Sequence, residues 1–171
     1  FPDYVSAMLV SSMAVLPSMA LFVFSIETNF FHHYRRFYDT ILAHASLRRI
    51  RQLHGNIVEA VTEALRSLSL LQGVIALLLV LLAPQLLEKL HISYVQPDIF
   101  RLGSLASFFV VLVLFTTIIL SYFECRRTTM YIFAFYFVSN ALLTLFFLQE
   151  GYRYYGYGFF MSSALTFFLA G

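Results

Sequence analysis

Charge is what this 171-residue chain has least of. Only 12% of its residues are Asp, Glu, Lys or Arg, and the formal net charge is +2. A soluble domain carries about 25% charged residues, so this chain has too few to cover a water-soluble globule. A net charge this small also argues against a nucleic-acid partner. There is one cysteine, Cys125, with no CxxC and no Cys/His neighbour at metal spacing, so neither an internal disulfide nor a zinc site is expected. No HExxH, GxSxG, P-loop or GxGxxG motif occurs. His32, His33, His44, His54 and His91 show no ligand spacing. No catalytic residue, metal or cofactor is therefore assigned.

Apolar residues are abundant. They make up 60% of the chain, 18% is aromatic, and the mean hydropathy is +0.80. A hydrocarbon core of about 30 Å needs roughly 20 apolar residues in a helix. Uncharged runs over 4–26, 68–87, 102–123 and 130–148 meet that need. A fifth run, 157–171, is as apolar but shorter. Continuous stretches such as Ile75–Ala83 do not alternate apolar with polar, so they are helices and not barrel strands. The expected fold is all-α, a polytopic transmembrane helix bundle forming a single domain. It has four full spans, a truncated fifth, and an amphipathic interfacial helix in the long connection 27–67. The chain starts with Phe1 and its last apolar run is short, so the reading is of a piece of a larger membrane protein.

Lys and Arg set the orientation. Connections 27–67 and 124–129 hold eight of the eleven, which places both in the cytoplasm and the start of the chain in the periplasm. The tyrosines Tyr152, Tyr154, Tyr155 and Tyr157 suit an interfacial belt at the fourth connection. Within 27–67, Tyr34, Phe37, Tyr38, Ile41, Leu42 and Ala45 share one helical face, with Arg35 and Arg36 off it. This describes a helix in the headgroup layer, favouring anionic lipid. The arginines either tie two spans to the surface or also meet an anionic substrate or a cytoplasmic partner. Gly55-Asn56 predicts a break before the second span.

The spans contain no internal Asp, Glu, Lys, Arg or His, which argues against an ion relay in this region. Their polar content is Gln72, Asn140, Ser and Thr. Asn140 reads as interhelical glue or as a substrate-path contact. Ala7, Ser11, Ala14 and Ser18 recur on one face of the first span, as a packing strip or a cavity lining. Pro17 beside them predicts a kink, either static or a bending point. Glu27 and Glu124 each follow a span and precede arginines: Arg35 and Arg36, Arg126 and Arg127. They are interface anchors or a cytoplasmic gate, the latter only if partly buried.

Three stretches carry a resemblance: Ser25-Ile-Glu-Thr-Asn-Phe-Phe-His-His-Tyr-Arg-Arg-Phe-Tyr38, Tyr122-Phe-Glu-Cys-Arg-Arg127 and Tyr154-Tyr-Gly-Tyr-Gly-Phe159. Together with the spacing of the spans, these resemble the PelG family of Pel exopolysaccharide exporters, in the MOP superfamily of flippases. The resemblance implies the C-terminal half of a twelve-span inner-membrane transporter that exports a polysaccharide for the biofilm matrix without covalent chemistry. It also implies a cytoplasmic glycosyltransferase and inner-membrane partners responding to cyclic di-GMP, besides the membrane lipids. It carries over no site residues. The rival reading is a membrane scaffold that anchors a cytoplasmic synthase.

Overall fold

The computed structural model describes residues 2–13, 15–25, 31–42, 47–89, 97–150, 154 and 156–170. Seven helices account for nearly all of them: α1 (Pro2–Met13), α2 (Val15–Ser25), α3 (Phe31–Leu42), α4 (Leu47–Lys89), α5 (Pro97–Tyr122), α6 (Arg126–Glu150) and α7 (Tyr157–Ala170). There is no strand among the described residues. Three helices, α4, α5 and α6, are long and apolar enough to cross a membrane.

The first apolar run is described on either side of residue 14, as the 12 residues of α1 and the 11 of α2. Pro17, where a kink is expected, is the third residue of α2 and has no N–H to give the carbonyl of Met13.

The break predicted at Gly55-Asn56 does not occur. Helix α4 runs unbroken for 43 residues, through Gly55 and into the membrane run. One Gly costs a helix about 1 kcal/mol. Just beyond it Ile57 and, further on, Leu68 are buried in one packed cluster, which seats the helix immediately after the weak point.

Helix α5 is the axis. In its most apolar stretch 56% of residues are buried, against 22% in α4 and 6% in α6. It packs on α1, α2, α4 and α7. Helices α2, α4 and α5 alternate in direction. Met8 lies with Phe100 and Leu87 at one end, and Phe22 with Phe115 and Leu68 at the other. Thus α5 runs parallel to α1 and α2, and α4 runs against them. Helix α7 is wedged between α5 and α6, which diverge from their connecting turn.

That turn closes α5 with a Schellman cap. The Cys125 N–H donates to the Leu120 carbonyl at 3.0 Å, and the Glu124 N–H to that of Ser121 at 3.1 Å. Glu124 takes the left-handed conformation, φ 56°, where glycine is usual.

Candidate functional site: polar seams between the spans

Small polar side chains share the interior with apolar clusters, and the exterior is large and apolar. Ser11, Ser18, Gln72, Ser104, Ser107, Thr117, Ser162, Ser163 and Thr166 are buried, while Leu16, Phe24, Leu70, Leu81, Phe137 and Phe168 are each more than 60% exposed. Lipid is as apolar as leucine, so hydrophobicity alone does not hold such helices together. Close backbone approach and interhelical hydrogen bonds do. Three seams follow this rule.

The first joins α1 to α5. Ser107 Oγ sits 2.8 Å from its own-helix carbonyl of Gly103 and 3.2 Å from the carbonyl of Ser11, sharing one proton between them. Ser11 Oγ donates to Met8 at 2.8 Å. A Cβ on Gly103 would stand 3.0 Å from the Ser11 Cβ and 3.1 Å from the Met8 sulfur. The Ser11 part of the small-residue strip is therefore a packing surface.

The second joins α2 to α4. Ser18 Oγ donates to Gln72 Oε1, with both residues fully buried. Gln72 Nε2 has no hydrogen-bond partner among the described residues. One turn along, the helices part into a cleft of about 170 Å³ lined by Leu21, Phe22, Ala64, Ser67, Leu68 and Leu71.

The third joins α6 to α7. Asn140 Oδ1 accepts from Ser162 on α7 and from Thr144 on its own helix, both at 3.3 Å. Gly158 lies so close that an added Cβ would be 2.8 Å from Thr144 backbone atoms. Asn140 thus bridges α6 and α7 through Ser162.

The charged candidates lie apart from these seams. Arg35 and Arg36 are exposed on α3, and Arg126 and Arg127 are exposed in the first turn of α6. Glu124 is exposed in the α5–α6 turn. Among the described residues the ion pair present is Arg101–Asp98, at 3.5 Å and well exposed. A Glu–Arg gate is not formed by them in this conformation. Glu27 and Ala14 lie outside the described residues, as does the side chain of Ala7. No group of three His, Cys, Asp or Glu among the described residues could hold a metal ion.

Helix α3 differs from a pure headgroup helix. Its aromatic face docks on protein: Tyr34 and Phe37 pack against the cluster containing Ile57, Phe115 and Ile119, whereas Leu42 remains exposed. The Tyr34 hydroxyl donates to the carbonyl of Tyr122 at 2.8 Å. Burial raises the Tyr34 pKa above its ordinary value, helped by the Tyr38 hydroxyl and the Glu124 carboxylate. This contact puts the connection 27–67 and the α5–α6 turn at one end of the bundle. A Cβ built on Gly156 would stand 3.7 Å from the Leu102 Cβ and 3.4 Å from the Met8 Cε, which puts this part of the fourth connection at the opposite end, beside α1. The pairing of sides read from the arginines is the pairing seen.

Sequence reading missed Gly103, Gly158, Ser107 and Tyr34 as contact residues. A Gly103-xxx-Ser107 pair and a Gly158-xxx-Ser162-xxx-Thr166 series, both in apolar runs, were available as signals of close helix approach.

An all-helical bundle with apolar membrane-length helices, lipid-like outside and hydroxyl-lined inside, is a polytopic membrane protein. The family PelG, described as "Putative exopolysaccharide Exporter (EPS-E)", matches residues 1–171. The chain belongs to the PelG family of exopolysaccharide exporters. No curated protein and no solved structure matches it significantly.

Proposed function

We propose that the chain forms one helix bundle of a flippase-like transporter that moves an exopolysaccharide, Pel being the candidate, across the bacterial inner membrane for the biofilm matrix. The observation that carries this reading is the match of an exporter family over the whole chain. The seams add support, because spans held by serine hydroxyls and close approach, without buried ion pairs, can slide or rock with few strong bonds to break. Rocking of this bundle against a second would expose a path alternately to the two sides. The arginine-rich end, with Arg35, Arg36, Arg126 and Arg127, then faces the cytoplasm. There it adjoins anionic lipid and meets a glycosyltransferase with its inner-membrane partners.

Deleting the protein in a producing cell tests the assignment. The expected result is loss of polymer outside the cell, with the synthase still at the membrane and active in extracts. Polymer outside the cell at normal yield, with the synthase displaced from the membrane, overturns transport in favour of a scaffold.

A further inference from the structure

The unpaired amide of Gln72 is unexplained by packing. Its Oε1 holds the Ser18 hydroxyl, while the two N–H groups of Nε2 are buried without a partner. A polar group buried unpaired is disfavoured, and more so within a bilayer. Leucine or methionine would fill similar space without that penalty, so packing alone gives no reason for glutamine here.

The surroundings define what the N–H groups can receive. No Asp, Glu, Lys, Arg or His occurs in 4–26, 67–87 or 102–123. Two N–H donors repel a cation, and an amide does not carry a proton at ordinary pH. The matching partner is a neutral oxygen such as a hydroxyl. A cleft lies one turn along from the pair. Phe22 follows Ser18 by one turn and Leu68 precedes Gln72 by one turn, and both line the α2–α4 cleft. Ser18 lies on α2, which packs on both α4 and α5.

We propose that Ser18 and Gln72 form a binding point for a neutral saccharide hydroxyl, with Gln72 Nε2 donating to it as the sugar enters from the α2–α4 cleft. This rests on the exporter reading and gives it a contact residue. The test is Gln72→Leu in the full-length exporter in its producing cell. The variant is expected to accumulate normally and melt close to wild type in detergent, since removal of the unpaired amide offsets the lost bond to Ser18. Polymer outside the cell should fall about tenfold, the loss of one hydrogen bond of about 1.4 kcal/mol. Export at the wild-type level by Gln72→Leu means the amide is structural or meets water only, and overturns the inference while leaving the exporter reading intact. Undiminished export after deletion of the whole protein would instead remove the exporter reading. If Gln72→Leu fails to accumulate, Ser18→Cys in a Cys125→Ser background replaces it. Maleimide labelling should then be slower while polymer is being made, and equal labelling with synthesis on or off overturns the inference.

Discussion

The Tyr34 hydroxyl caps the end of α5 by donating to the Tyr122 carbonyl at 2.8 Å across 88 residues of sequence. That carbonyl is among the last four of its helix, which have no intrahelical donor. One hydrogen bond therefore satisfies an orphan acceptor and pins α3 to the bundle. Tyr34→Phe keeps the ring contacts with Tyr38, Tyr122 and Phe123 and removes the donor. The expected loss is about 1 kcal/mol, a fall in Tm of roughly 2–4 °C for a chain of this size. Limited proteolysis should find the α3 region cut sooner than in wild type.

The same tyrosine gives a pH dependence. Its pKa is raised in the fold, so the protonated form is favoured there. The contribution is complete below the ordinary tyrosine pKa of 10.0 and is lost as the pH climbs through the raised value. Thermal melts above pH 10 should show a steeper loss of stability in wild type than in Tyr34→Phe. Parallel curves would disprove the link.

Two glycines in neighbouring helices should answer oppositely to alanine. At Gly103 the new methyl meets Ser11 Cβ at 3.0 Å and the Met8 sulfur at 3.1 Å. Forcing α1 away from α5 should cost about 1–3 kcal/mol. At Gly73 the nearest atom is Phe108 Cε2 at 3.6 Å, an ordinary contact. Gly73→Ala should stabilise by about 0.5–1 kcal/mol through helix propensity. Thermal melts of the two variants in the same detergent decide the matter.

The α6–α7 seam predicts a graded pair. Asn140→Leu removes an acceptor for Ser162 and Thr144 and should cost about 0.6–2 kcal/mol, the range for polar ties between membrane helices. Gly158→Ala should cost more, because its methyl meets the Thr144 backbone at 2.8 Å, and backbone cannot step aside as a side-chain tip can. If Gly158→Ala melts at or above Asn140→Leu, α7 is not seated on α6 as described.

Glu124 separates conformation from charge. Glycine there removes the strain of a left-handed Glu at φ 56° and should stabilise by about 1 kcal/mol. Glu124→Gln keeps the strain and loses the charge, so its Tm should stay close to wild type. Export by Glu124→Gln also tests a gate: polymer transport at the wild-type level is expected, since Glu124 has no ion pair among the described residues. A collapse of export would restore the gate.

Much of this protein was settled by its sequence. The scarcity of charge decided the solvent. The uncharged runs decided where helices lie, because only a helix satisfies its backbone in lipid. The eight arginines of two connections decided which connections share a side, and the Tyr34–Tyr122 contact bears that pairing out. The rest needed tertiary structure. Nothing local distinguishes Ser11, packed against Gly103, from Ser18, bonded to Gln72, although both belong to one strip. Gly55 read as a break until the packing of Ile57 and the residues after it proved stronger than its weak propensity. The aromatic face of α3 read as lipid-facing because lipid and a protein groove select the same residues. Above all, an unpaired amide at Gln72 cannot be read from a string of letters. Whether a buried donor has a partner depends on which helices meet it, and only the packing of α2 on α4 decided that.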